Sequence, residues 1–381
     1  MPARDRSDAT PTVSAGRSVL LVGLAHKNMS AAVEALNARG LTVRMMKALP
    51  PSSRSLTGAD GIDLARKRER SIPSWLPVRT QKILRSIDED CVAIIARGGR
   101  RRGRDAALAA RLSGVPIVIK TEFDVFWDPK GARAIERVRV IIRRLVESLV
   151  IRAFGVTRVS PTRGRGSVRQ YGGFEYLPHS VSVTLSEPPP LPDAPLRVIT
   201  VTRCPSTKNN AGLIDLAEKV RGLDVAFTVV FGEDSGCPKC GGTAHDDFQR
   251  AVAERGLASV VVLGPQDDLT ELYRTHHVAM RNSTFEGANV TVIEGAAEGC
   301  VPIVSTTSGA GYGLFDDGSG YLVEASDLDG QARILQDLLD DVPLRETMRT
   351  RAMAAVRERC DPERFARLVD RAIMRSSSGR K

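Results

Sequence analysis

Residues 283–303 read STFEGANVTVIEGAAEGCVPI, and the fold turns on this stretch. Two carboxylates, Glu286 and Glu294, lie eight positions apart in it. The first follows a polar turn after an apolar run at 278–280. The second sits in a helix-like segment that ends at Gly299 and runs into another apolar run at 301–304. Eight positions make about two helical turns and one residue more, and only the downstream part needs to be helical. Gly287 permits close approach of the backbone to a ligand. The helix start after it offers free amide N–H groups to an anion. One carboxylate at the mouth and one a turn deeper can hold two hydroxyl-rich parts of one ligand.

Upstream, the same alternation repeats. Strands are expected at 197–201, 225–231 and 260–263, with helices at 211–220, 246–255 and 268–274 between and after them. Before these lies SEPPPLPDAP, residues 186–195, whose prolines stiffen the chain and stop both helix and central strand. Alternation also fills the first half. Residues 18–23 form an apolar run ending in glycine, followed by a helical pattern at 29–39 and a strand at 41–45. After a polar, weakly structured stretch, strands at 91–96 and 115–119 flank an alanine-rich helix at 105–112. A basic amphipathic helix follows at 133–154, then strands at 155–160 and 174–177. Strand–helix alternation of this kind is the mark of an α/β chain with parallel sheets. The expected organisation is a disordered N-terminus at 1–16, a Rossmann-like domain at 17–185, the proline-rich linker at 186–195, a second Rossmann-like domain at 196–360 and a last helix at 361–375.

Bulk numbers agree with two domains, each able to form a core in a chain of 381 residues. Hydrophobic content of 42% and charge of 26% are ordinary for a globular protein. There is no run of about 18 apolar residues to cross a membrane. The first residues lack the apolar core of a secretory signal, so a cytoplasmic protein is expected. Six dispersed cysteines suit free thiols better than a disulfide framework. Cys237 and Cys240, with His245 nearby, offer three zinc-type donors or a redox pair. With no second such pair, two free thiols on a loop are preferred and no metal site is assigned. The net charge of +10 suits phosphate-rich ligands, acidic surfaces or nucleic acid. At 4% aromatics, stacking platforms for single strands are not favoured, so nucleic acid is not an expected partner. The helix at 133–154 carries Ile141, Ile142, Leu145, Val146, Leu149 and Val150 among its arginines. Apolar residues so spaced more often pack on a sheet, so peripheral membrane contact is not favoured. Arg100, Arg101 and Arg102 follow a strand end, where they can receive an anionic acceptor or form a solvated loop.

The 283–303 segment resembles the Glu-x7-Glu signature of retaining glycosyltransferases of the GT-B fold, the glycogen-synthase-like and family 4 enzymes. Ser283, Glu286, Gly287, Glu294, Ala297, Gly299 and Pro302 fall in register with it. Thr202-Arg203 and Lys208-Asn209 resemble the family's Gly-Arg and Lys-Gly pairs, with a threonine and an asparagine in place of the glycines. The likeness covers about 197–339 well and is much weaker before residue 150. It implies an α/β GT-B fold, two Rossmann-like doubly wound domains facing a central cleft, with the 361–375 helix crossing back to the first domain. The first domain would choose the acceptor and the second would bind the donor.

The resemblance also implies roles. Arg203 and Lys208 would grip a diphosphate, where two fixed cations stabilise the charge that develops as the glycosidic bond breaks. Glu286 would meet the sugar hydroxyls together with the backbone of Gly287, Ala288, Asn289 and Val290. Glu294 would hold the ribose, and Gly264 would lie by the base. Front-face attack is expected, without a covalent nucleophile, metal or cofactor. The co-substrate would be a nucleotide diphosphate sugar, UDP-linked first and GDP-linked second, and the acceptor a small molecule, saccharide or lipid. The first domain departs from the pattern. Its first loop holds His26 instead of paired glycines, and no histidine follows the 115–119 strand. Glu122, Asp124 or His26 would then supply a group near the reacting centre, or serve as turn residues. The alternatives are a nucleotide-sugar-binding protein without transfer activity and a nucleotide-sugar epimerase.

Overall fold

The computed structural model describes residues 16–24, 29–46, 59–61, 75–97, 102–120, 155–161, 174–181, 187–203, 208–232, 242–284, 286–307 and 311–378. The chain forms two compact units. One comprises Met1–Thr121, Gly131–Arg158 and Pro362–Lys381, the other Glu122–Lys130 and Val159–Asp361.

The first sheet begins with β1 (Ser18–Val22), α1 (Ser30–Ala38), β2 (Thr42–Met45) and β3 (Ala59–Gly61). It continues through α2 (Val78–Ser86), β4 (Cys91–Arg97), α3 (Arg102–Ser113), β5 (Ile117–Lys120), β6 (Thr157–Ser160) and β7 (Phe174–Tyr176). Strand order is β3-β2-β1-β4-β5-β6-β7, and β1 to β5 pair in parallel. All residues of β1 are buried. A parallel strand covered on both faces reads as such an unbroken apolar run. Leu20, Ile94, Ile117, Ala106, Ala107, Ala109 and Ala110 share one core.

The second sheet comprises β8 (Leu196–Thr202), α4 (Asn210–Lys219), β9 (Val225–Phe231), α5 (Ala244–Glu254), β10 (Val260–Leu263) and α6 (Thr270–Arg274). Then come β11 (Val278–Arg281), α7 (Val290–Ala297), β12 (Val301–Ser305), a π-helical turn at Gly311–Phe315 and β13 (Tyr321–Val323). Helices α8 (Leu328–Asp340) and α9 (Val342–Arg359) follow, and α10 (Pro362–Ser378) ends the chain. Strand order is β10-β9-β8-β11-β12-β13, parallel throughout. Val198, Val278, Met280 and Ile303 enter the core on one face. Their neighbours Ile199, Ala279 and Val304 enter the core on the other. This is the period-two alternation of a sheet covered on both sides.

Both sheets are thus doubly wound, as the sequence predicts. The direction of winding reverses between β1 and β4 in one and between β8 and β11 in the other. In such sheets ligands bind beyond the carboxyl ends of the strands at the reversal.

Helix α10 packs on α1 within the first unit. Arg39 donates to Glu363 through Nε at 3.1 Å and also pairs with Asp370. Residues 187–195, read from sequence as a linker, lie tied down within the second unit. His277 Nε2 donates to Pro192 O at 3.0 Å, Arg345 to Asp193 O at 3.2 Å, and Arg349 to Pro188 O at 3.0 Å.

A charged cluster at the strand reversal of the second sheet

Strand β8 ends at Thr202, and the exposed Arg203 follows. After residues 204–207 the chain returns at Lys208 and Asn209, which lead into α4. Asn209 has φ 51°, a left-handed conformation that an asparagine tolerates and most residues resist. Its side chain folds over Gly212, where a Cβ would lie 2.4 Å from Asn209 Nδ2. Its amide donates to Ala325 O at 3.3 Å. Thr202, where the resembling family has glycine, donates to Asn210 Oδ1 at 2.6 Å, and the Asn210 amide donates to Arg203 O at 3.3 Å. Side-chain bonds therefore shape this turn in the glycine's absence.

The neighbouring strand β11 ends at Arg281 and passes through Asn282 and Ser283 to Glu286. Lys208 and Glu286 form a half-buried ion pair on Glu286 Oε2. Ser283 Oγ donates to the same oxygen at 3.3 Å. Arg281 donates to Ser283 Oγ at 3.0 Å and to Val201 O at 2.7 Å, and its Nε lies 3.8 Å from Glu286 Oε2. Only 2% of the Arg281 side chain is exposed. Burial lowers its pKa to about 10, against the opposing pull of Glu286. Burial likewise lowers the Lys208 ammonium, with Arg281 and Arg203 adding repulsion and Glu286 opposing. Lys208 and Arg281 thus both lie against one carboxylate, and Arg203 is near enough to repel both cations.

Gly287, Ala288 and Asn289 are buried and carry the chain into α7, which begins at the half-buried Val290. Asn289, with φ 50°, is the other left-handed non-glycine among the described residues. Neither α4 nor α7 has an acidic residue in its first turn. The positive ends of both helices are therefore uncompensated locally and suited to an anion. Glu294 lies half-buried on α7. Tyr273, which it faces, is in the core against Gly295, its hydroxyl pKa raised first by burial and then by Glu294. Gly264 follows β10 with open space around its Cα.

The structure therefore joins Lys208 and Glu286 directly, with Arg203 near enough to repel Lys208. Gly287 to Val290 link them to α7 and Glu294. Arg281 has no place in the sequence motif, and a charge closing an apolar strand before a polar turn was its one signal. His26, Glu122, Asp124, Arg100, Arg101, Cys237 and Cys240 lie outside the described residues. Arg102 opens α3, so helix begins inside the stretch expected as an arginine loop. His245 has Nδ1 at 2.8 Å from Asp246 Oδ1.

Residues 184–354, which include this cluster, match the family Glycosyl transferases group 1. EpsF of Bacillus subtilis (strain 168), which bears a glycosyltransferase name, is 27% identical over 215 residues, 52% of this chain and 53% of the relative. D-inositol 3-phosphate glycosyltransferase of Streptomyces avermitilis is 28% identical over 198 residues, 50% of this chain and 39% of the relative. The chain thus spans about half or less of the length of these curated relatives. Sucrose-phosphate synthase from Thermosynechococcus elongatus superposes over 95% of this chain and 100% of its own, with a TM-score of 0.70 and 17% identity. HepE of Anabaena, solved with UDP and glucose, does so over 94% and 99%, with a TM-score of 0.68 and 14% identity. Two parallel-sheet units and these likenesses lead to one assignment: the chain has the GT-B fold, and residues 184–354, which hold the cationic strand reversal, are similar to the group 1 glycosyl transferases.

Proposed function

We propose that the chain is a retaining hexosyltransferase that takes its sugar from a nucleotide diphosphate sugar, UDP-linked by preference and GDP-linked second. The observation that carries this reading is the positive surplus of Lys208 and Arg281 at Glu286, with Arg203 close to both cations, beside two helix N-termini without first-turn acids. A diphosphate supplies the missing negative charge. HepE, of similar fold, is known with UDP and with UDP-glucose, which supports uridine as the base.

In the reaction the bond between the anomeric carbon and the diphosphate oxygen breaks. An acceptor oxygen forms its bond on the same face, and its proton passes to the departing phosphate. Arg203 and Lys208 stabilise the negative charge that grows on the diphosphate. Glu286, released in part from Lys208 by the arriving phosphate, accepts hydrogen bonds from the sugar hydroxyls. The amides from Gly287 to Val290 meet phosphate and sugar, Glu294 the ribose and Gly264 the base edge. Protein cations do the neutralising, so no metal ion is required. The acceptor is a small molecule, saccharide or lipid. No described helix is long and apolar enough to cross a membrane, and a cytoplasmic site suits the donor.

Calorimetric titration with UDP, GDP, ADP and NAD in EDTA tests the reading. Micromolar binding of one nucleoside diphosphate, lost in Arg203→Ala, is the expected outcome. Binding of none, or of NAD alone, overturns it.

A further inference from the structure

We infer that Arg281 is a positioning residue for the donor sugar, holding the Glu286 carboxylate in place through Ser283. The inference rests on the donor-site reading above. Arg281 closes β11, and at 2% exposure its side chain is sealed from a ligand arriving from solvent. Its guanidinium nevertheless spans the strand reversal. One arm donates to Val201 O of β8 at 2.7 Å, and Nε donates to Ser283 Oγ at 3.0 Å. The Ser283 hydroxyl in turn donates a hydrogen bond to Glu286 Oε2 at 3.3 Å, the oxygen that also receives Lys208. From behind, Thr307 Oγ1 holds the Ser283 carbonyl at 3.1 Å.

The chain of bonds has a direction. Glu286 Oε2 is committed to three protein cations or donors, which leaves Oε1 to meet a hydroxyl of the sugar. A buried guanidinium is costly unless its charge is answered, and a merely structural filler at this position would be apolar. Arg281 earns its place by acting on two charged neighbours at once. It anchors Glu286, and it repels Lys208, whose other charged neighbours are Glu286 and Arg203. Its removal therefore changes two separate readouts, one on the sugar and one on the lysine.

The experiment compares wild type with Arg281→Met, Arg281→Lys, Ser283→Ala and Glu286→Ala. Each is titrated calorimetrically with UDP and with UDP-glucose in EDTA. Lys208 is followed by NMR of 13Cε-labelled lysine, assigned with Lys208→Arg. In Arg281→Met the ratio of the UDP-glucose to the UDP dissociation constant should rise about tenfold, the worth of a lost hydrogen bond to a charged group. Lys208 should then titrate at higher pH than in wild type. Arg281→Lys should keep Lys208 low. Ser283→Ala should raise the ratio without moving Lys208, and it also serves if Arg281→Met does not fold. Parallel weakening of both ligands, or an unchanged ratio with Lys208 unmoved, overturns the inference. Glu286→Ala sets the scale. If it leaves the ratio unchanged, the sugar-site reading is what fails, and the Lys208 titration alone decides the coupling to Arg281.

Discussion

Asn209 and Asn289 stand at equivalent places, each in the left-handed region just ahead of a helix at the strand reversal. An L-residue with a Cβ strains there by about 1–2 kcal/mol, and asparagine tolerates the conformation better than most. Asn289→Ala should therefore lower stability by about 1 kcal/mol and weaken UDP binding, whereas Asn289→Gly should recover most of the stability. Urea unfolding of the pair checks this, and equal losses in both would show that the side chain, not the backbone, matters. At this scale the sequence was informative where chemistry repeats in a fixed spacing. Glu286 and Lys208 were legible because each sits in a motif, and the structure brings them together. Arg281 was not. A charge at the end of an apolar strand looks solvent-bound, and only the adjacency of β8 and β11 reveals its partner Val201.

At the scale of elements, the parallel strands were the clearest signal because strands buried on both faces are continuous apolar runs. Helix α2 left little trace. It buries Thr80, Ile83 and Ser86, so a single large apolar residue carries its inner face. The proline-rich segment read only as a stiffened linker for a related reason. Its bonds run to His277, Arg345 and Arg349, too far along the chain for local spacing to show. His277 makes this attachment sensitive to acid. Its Nδ1 accepts from Arg197 N at 2.9 Å while Nε2 donates to Pro192 O, an arrangement only the neutral ring can make. Burial first, and then Arg345, lower its pKa to about 4. In the unfolded chain it titrates near 6.5. The unfolded state thus gains a proton that the folded state refuses, so the stability is fully present above about 6.5 and is lost as the pH falls towards about 4. The urea midpoint should drop across that window, and His277→Gln should flatten the drop. An unchanged slope in the variant would place the acid sensitivity elsewhere, for instance at His276, whose pKa burial also lowers.

For the whole molecule, the two units differ in what a ligand can do to them. The proposed donor groups, from Arg203 to Glu294, all belong to the second unit, whose cores cover both faces of its sheet. A nucleotide that binds the native state alone stabilises it by about 2.7 kcal/mol at a concentration one hundredfold above its dissociation constant. That gain should appear first in the backbone that meets the ligand. Hydrogen exchange with UDP present should slow at the carboxyl ends of β8 and β11, at 287–289 and in the first turn of α7. The amides of β1 and β4 should exchange at their ligand-free rates unless global opening limits them. The net charge of +10 bears on the same measurement. Exposed cations steer a diphosphate from a distance and are screened by salt, whereas the buried Arg281 and half-buried Lys208 are screened less. Raising the salt should thus slow UDP association more than it speeds dissociation. Stopped-flow rates at two ionic strengths separate the terms: a salt effect confined to dissociation would mean that surface charge, not the cluster, holds the nucleotide.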